Sequence, residues 1–221
     1  MMMVAKAVRT PKTLRTERAS ATRELILTTA ERLFAEHGVL AVSNRQISEA
    51  AGQGNNTAVG YHFGTKADLV RAIVRKHTDQ LERLRLQALA RADSFTELRD
   101  WVDCLVRPTT EHLASLGTPT WFARFSAQIM TDPTLREVMI EEALTASSML
   151  QVIDGLNRCL ADLPLAVRAE RSDMARQLMV HMWAERERAL ADGTPTARVS
   201  WDDAATGLID AIVGIWQAPV T

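Results

Sequence analysis

Apolar residues recur at three- and four-residue intervals along nearly the whole chain, the spacing that lays one stripe on an α-helix, and no alternating run reads as a strand. The pattern predicts helices over about 22–37, 44–51, 56–62, 66–91, 95–106, 109–115, 119–130, 133–160, 165–191 and 201–217. Capping chemistry marks the starts. Ser43 with Gln46, Thr65 with Asp68, Ser94 with Glu97 and Ser200 with Asp203 each set a hydroxyl three residues before a side chain that can bond back. Asp132 and Thr118 each precede a proline suited to the first helical position. The fold class is all-α, and residues 1–20 read as a mobile basic arm.

The first helices have a recognisable plan. Ile26, Ala30, Leu33 and Phe34 form one stripe, and Gly38 after His37 supplies the residue that can turn left-handed and stop the helix. Past the apolar connector 39–42, a short helix turns Ile47, Ala50 and Ala51 inward and ends at Gly52. Gln53, Gly54 and Asn55 make a turn, and a second short helix runs to His62 before Phe63 and Gly64. Two short helices joined by a glycine-containing turn and packed on a longer one describe a helix-turn-helix.

Charge sharpens that picture. The formal net charge of the 221 residues is −1, but residues 1–85 carry 14 Lys+Arg against 8 Asp+Glu, whereas residues 86–221 carry 12 against 19. A basic first third on an acidic remainder suits a polyanion-binding head on a non-binding body, although a solvated surface with a basic tail gives the same count. The second short helix offers matching chemistry, because the N-terminal residues of a helix in the major groove reach base edges. Asn55 and Asn56 can bond adenine bidentately, and Thr57 offers a hydroxyl and a methyl for thymine. Both asparagines could equally serve as turn and cap. Tyr61 and His62 are exposed by the same helix, and Lys66 lies in the first turn of the next, where backbone N–H groups also attract phosphate.

Residues 22–74 resemble the DNA-binding domain of the TetR family of bacterial transcription regulators. The resemblance rests on an ordered set: Ile26, Ala30, Leu33, Phe34 and Gly38; then Ile47, Ala50, Ala51 and Gly52; then Tyr61-His62-Phe63-Gly64, Thr65-Lys66 and Leu69. It covers about a quarter of the chain. It implies phosphate contacts from Tyr61, Lys66 and Arg45, and base reading by Asn55, Asn56, Thr57 and the backbone of Gly60. Two departures stand out: the turn 53–56 is one residue longer than is usual in the family, and Gly60 stands where many members carry a phosphate-touching tyrosine. The division expected is an arm at 1–20, a helix-turn-helix domain at 21–67, and an effector-binding and dimerisation domain at 68–221.

In the body, Val70, Ile73, Val74, His77, Leu81 and Leu84 sustain a stripe well past the head, so this helix links the two parts. The helices at 165–191 and 201–217 are apolar on more than one side: Met174, Leu178, His181 and Met182 on one face, with Met179 and Trp183 beside it. By resemblance these two helices form a homodimer; burial of both faces inside one chain is the alternative. Trp101, His112, Trp121, Phe122, Phe125, Met130, Met139 and Met149 are candidates for an adaptable ligand cavity, though each also serves as ordinary core filling. A mostly apolar effector is expected.

Other classes receive little support. The sequence has no Gly-rich phosphate loop, nucleophile elbow or metal-spaced His/Asp/Glu cluster, so a cofactor-free non-enzyme is expected over an all-helical enzyme or a protein-binding adaptor. No run is long and apolar enough for a membrane span, and no apolar stretch follows the basic N-terminus, so a cytoplasmic location is expected. Cys104 and Cys159 are expected as reduced, packed thiols. The expected function is a repressor freed from a palindromic DNA operator by a small ligand.

Overall fold

A computed structural model describes residues 11–91 and 95–220, with side chains from residue 18 on. Among the described residues there are ten helices and no strand: α1 Pro11–His37, α2 Asn44–Ala50, α3 Ala58–Phe63, α4 Lys66–Ala90, α5 Leu98–Ser115, α6 Phe122–Thr131, α7 Pro133–Leu144, α8 Ser147–Cys159, α9 Leu165–Ala191 and α10 Trp201–Gln217. Residues 11–20, expected as arm, extend α1; the rest of that arm, 1–10, lies outside the described residues.

The capping signals at Ser43, Thr65, Asp132 and Ser200 all operate, three of them as full capping boxes and Asp132 by accepting from Leu135 N–H. Gly38 ends α1 at φ +85°, its N–H bonded to the Phe34 carbonyl. Ser94 lies outside the described residues, and α5 starts after Glu97, whose box partner is Asp100.

Three further boundaries differ from expectation, each through a contact or packing that local sequence does not reveal. The helices expected at 95–106 and 109–115 are one. Pro108 sits inside α5, where a lost backbone bond costs roughly 3 kcal/mol, but Val102, Val106 and Leu113 on both sides of it are fully buried and hold the helix together. The helix expected at 133–160 is two, because the Glu82 carboxylate of α4 accepts from Ser147 Oγ and Ser148 N–H and so caps a new start at α8. The start expected at 119 falls at Phe122. There the buried Glu187 of α9 accepts from Ala123 N–H (3.0 Å) and Arg124 N–H (2.9 Å), capping α6 from another helix. In α2, Ala50 is exposed rather than inward, and Ser48 is fully buried in its place.

Two hydrophobic cores result. The first joins α1–α4 to the body through Ile26, Phe34, Ile47, Leu69, Leu113, Phe122, Phe125 and Leu135. The second lies among α5, α8, α9 and α10, around Trp101, Val152, Met179, Ile209 and Trp216. Arg71 and Arg75 of α4 clamp the buried Glu142 of α7 at 2.8 Å each, tying α4 to the body, and these cations hold that carboxyl below its usual range against the opposing effect of burial. Cys104 is buried and its thiol is pushed up to about 11 by burial, whereas Cys159 is exposed, contrary to the expectation of packing.

Candidate functional site

The head presents a compact polar surface. Asn55 Oδ1 accepts from Thr57 N–H (2.9 Å) and Thr57 Oγ1 (2.7 Å), an Asx turn that starts α3 and fixes the long connection from Gly52, which sits at φ +64°. Its amide nitrogen points to no partner in that turn, so capping and base contact can coexist. Ser48 Oγ donates to the Asn56 carbonyl (3.4 Å), and the Asn56 side chain is exposed beside Thr57. Ala58 and Val59 bury the other side of α3, which leaves Tyr61 82% exposed. His62 is half-buried with its ring edge-on to Tyr61 at 5.1 Å. Nothing lies within 4 Å of where a Cβ on Gly60 would stand, so no packing contact demands a glycine and the backbone of α3 is open on that side.

The cations around α3 differ in freedom. Arg45 is exposed and pairs with Glu49 one turn on (2.7 Å). Lys66 is half-buried, and its Nζ donates to the carbonyls of Val39 (3.0 Å) and Val42 (2.7 Å). It therefore braces the connection between α1 and α2, and burial lowers its pKa from the ordinary lysine value.

Among α4–α10 lies a cavity of about 480 Å³. Phe122, Met130, Met139 and Met149 line it, together with Leu105, Leu113, Leu156 and Met179. Trp101, His112, Trp121 and Phe125 do not. Trp101 packs on Gly155, where an added Cβ would fall 2.2 Å from the indole, and against Phe95. Phe125 stacks on Phe34 of the head at 6.2 Å. Trp121 is half-buried against the first core at the start of α6. His112 stands behind the wall rather than on it. Arg85, Arg176, Trp183 and Trp216 also line the cavity, though none is among the residues expected there. Arg85 was recoverable: it follows His77 and Leu81 at four-residue steps on the stripe of α4, where an apolar residue is expected.

Behind Phe122 runs a buried polar chain. His77 stacks on the Phe122 ring (3.7 Å between centroids), and His112 meets the same ring edge-on at 5.7 Å. His77 Nε2 lies 3.1 Å from Glu31 Oε2 of α1, and His77 Nδ1 lies 2.7 Å from His112 Nε2. The tautomers follow from satisfying this network: His77 Nε2–H donates to the carboxylate, His112 Nε2–H donates to His77 Nδ1, and the unpartnered His112 Nδ1 carries only a lone pair. Burial, with the neighbouring His77, pulls His112 down to about 4, so it is neutral near pH 7.

A third surface lies on α9 and α10. Met174 and Met182 are about half exposed, and His181, Ala211 and Gly214 are open beside them. The interior face of α9 carries Ala175 and Met179. Intrachain burial thus accounts for only one of the two apolar faces expected of α9. Among the described residues, no helix is long and apolar enough to cross a membrane.

Comparison with known proteins agrees with this layout. Residues 26–73 match the bacterial regulatory proteins of the tetR family, and residues 103–214 match the tetracyclin repressor-like C-terminal domain. No curated protein is significantly similar to the chain. A TetR family transcription regulator from Marinobacter aquaeolei VT8 shares the fold with a TM-score of 0.57 at 16% identity, over 91% of this chain and 96% of that one. AmtR of Mycobacterium smegmatis does so with a TM-score of 0.55 at 17% identity, over 98% and 90%. Members of this family bind DNA and small-molecule ligands and typically dimerise. With both the helix-turn-helix head and the larger helical body matched, the chain belongs to the TetR family of bacterial transcription regulators.

Proposed function

We propose that this protein is a ligand-responsive repressor that binds a palindromic DNA operator as a homodimer and is released by a small, mostly apolar molecule in the body cavity. Residues 21–67 act as the reading head and residues 68–221 as the effector-binding and dimerisation part. The exposed faces of α9 and α10 pair across a two-fold axis, which makes the interface self-complementary and sets two α3 helices about one DNA turn apart, roughly 34–36 Å. Asn56 and Thr57 read base edges, Asn55 adds its free amide, and Gly60 admits the DNA backbone. Tyr61 and Arg45 meet phosphates, and His62 steadies Tyr61. Lys66 contributes by bracing the α1–α2 connection and adding its charge beside the phosphates.

The observation that carries the reading is one shared residue. Phe122 is at once cavity wall and the surface on which His77 stacks, and His77 is bonded to Glu31 on the helix that supports α2 and α3. A ligand that displaces Phe122 shifts α4 and α1 together, and so changes the spacing of the two reading heads. Selection of duplexes from a random DNA pool with the purified protein at near-physiological salt tests the reading of a palindromic operator by the dimer. Enrichment of an inverted repeat is the expected result; retention without enrichment would contradict it.

A further inference from the structure

The cavity wall has an imbalance of polar groups. Arg85, 3% exposed, lines it with Nε unpartnered, and Nη1 donates only a long bond to Ser148 Oγ (3.3 Å). Among the described residues no carboxylate lies within ion-pair distance of it. Glu82, one turn back on α4, spends its oxygens on Ser147 and Ser148 at the start of α8. On the opposite side, Arg176 of α9 uses Nη2 for Asp173 (2.8 Å) and leaves Nη1 buried without a partner. The indole N–H groups of Trp183 and Trp216 on the same lining are likewise unpartnered. Every buried unpartnered side-chain atom on this wall is a donor; the unpartnered acceptors of Asn44 and His112 lie elsewhere. Buried donors call for acceptors, and the charge of Arg85 is met by Glu82 only at a distance and through Ser148, which leaves room for a further negative group.

We infer that the ligand of this cavity is an amphiphilic carboxylate: an apolar body against Met139, Met149 and Phe122, and an acid group bonded to Arg85. The guanidinium is a planar fork that matches a carboxylate, and its Nε, occluded from the empty cavity, has no protein partner to give up. A cavity of about 480 Å³ accommodates a body of ten or so carbons. This deepens the proposed function and rests on the reading of the cavity as an effector site.

The test uses decanoate, 1-decanol and decylamine as probes of one length and three head groups, titrated below micelle formation into the full chain and followed by tryptophan fluorescence. Decanoate binds about tenfold or more tighter than 1-decanol, and decylamine binds weakest. Arg85→Met removes the preference for acid over alcohol while 1-decanol still binds, and Arg85→Lys retains part of it. Equal affinity for acid and alcohol in the unaltered protein overturns the inference whether or not the variants fold, as does a preference that survives Arg85→Met, or failure of all three probes to bind. Release of DNA is measured separately on the selected duplex. An acid preference without release keeps the carboxylate site and contradicts the effector role; release by alcohol as effective as by acid does the reverse.

Discussion

The core of the head and the core of the body are built from similar apolar residues but filled to different degrees. Around Ile26, Phe34, Ile47 and Leu69, side chains with 0% exposure meet one another, and the polar groups of α2 and α3 are mostly caps, braces or exposed side chains, Asn44 Oδ1 being the buried one without a partner. The body around Met149, Met179 and Trp216 leaves a cavity of about 480 Å³, whose wall carries unpartnered donors. The filled core suits an element that must hold Asn56 and Tyr61 at fixed positions, because close packing transmits displacement without absorbing it. The unfilled one trades stability for a site that a ligand can complete. Phe122 belongs to both.

The same kind of truncation should therefore cost different amounts in the two regions. Phe34→Ala removes a fully buried ring stacked on Phe125 and is expected to destabilise by about 3–5 kcal/mol. Met149→Ala, a partly exposed side chain on a wall that already faces empty space, is expected to cost about 2 kcal/mol, the low end for such a truncation, and to enlarge the cavity. Chemical denaturation of both variants compares them, and equal losses would remove the distinction.

Acid should act at the joint between the regions. His112 stays neutral in the folded protein down to about pH 4, whereas in the unfolded chain it takes up a proton near 6.5. Between these values the unfolded state binds more protons, so stability contributed by this depressed pKa is full above pH 6.5 and falls as pH drops towards 4. The expected loss is on the order of 2–3 kcal/mol. Thermal melts across that range should show a steeper slope for the unaltered protein than for His112→Gln.

A smaller effect belongs to the brace. Lys66→Met leaves the Val39 and Val42 carbonyls without their donor and should cost roughly 1–2 kcal/mol, read by thermal unfolding. If Lys66 acted only as a phosphate contact, that variant would weaken DNA binding with no change in melting. Smallest is Gly60→Ala, which fills open space on α3 and should stabilise by about 0.5–1 kcal/mol. A loss of stability there would mean that the surroundings of α3 are tighter than the fold indicates.

How much could be read beforehand divides along the same line. In the head, local rules suffice: Ser43 and Thr65 cap, Gly38 stops α1, and Ile26, Phe34, Ile47 and Leu69 are buried where their spacing puts them. Asn55, Asn56, Thr57 and Tyr61 cluster on one exposed surface because only a few residues separate them. In the body the decisive contacts join distant positions. Glu187 starts α6 from 63 or more residues away and Glu82 starts α8, so no periodicity reveals where those helices begin. Of the eight side chains expected around the ligand, Phe122, Met130, Met139 and Met149 line the cavity, while Trp101 is held by Gly155 and Phe125 by Phe34. Apolar character predicts burial, and which buried side chain borders empty space depends on how helices cross.

The most direct test of the account is the ratio of affinities for the enriched inverted repeat and a scrambled duplex of equal length, measured at near-physiological salt for the unaltered protein and Asn56→Ala. The account predicts a ratio of about a thousand or more for the unaltered protein, reduced by roughly tenfold in the variant through weaker binding to the repeat alone. A ratio near one, or a variant that weakens both duplexes equally, would contradict a head that reads bases through α3.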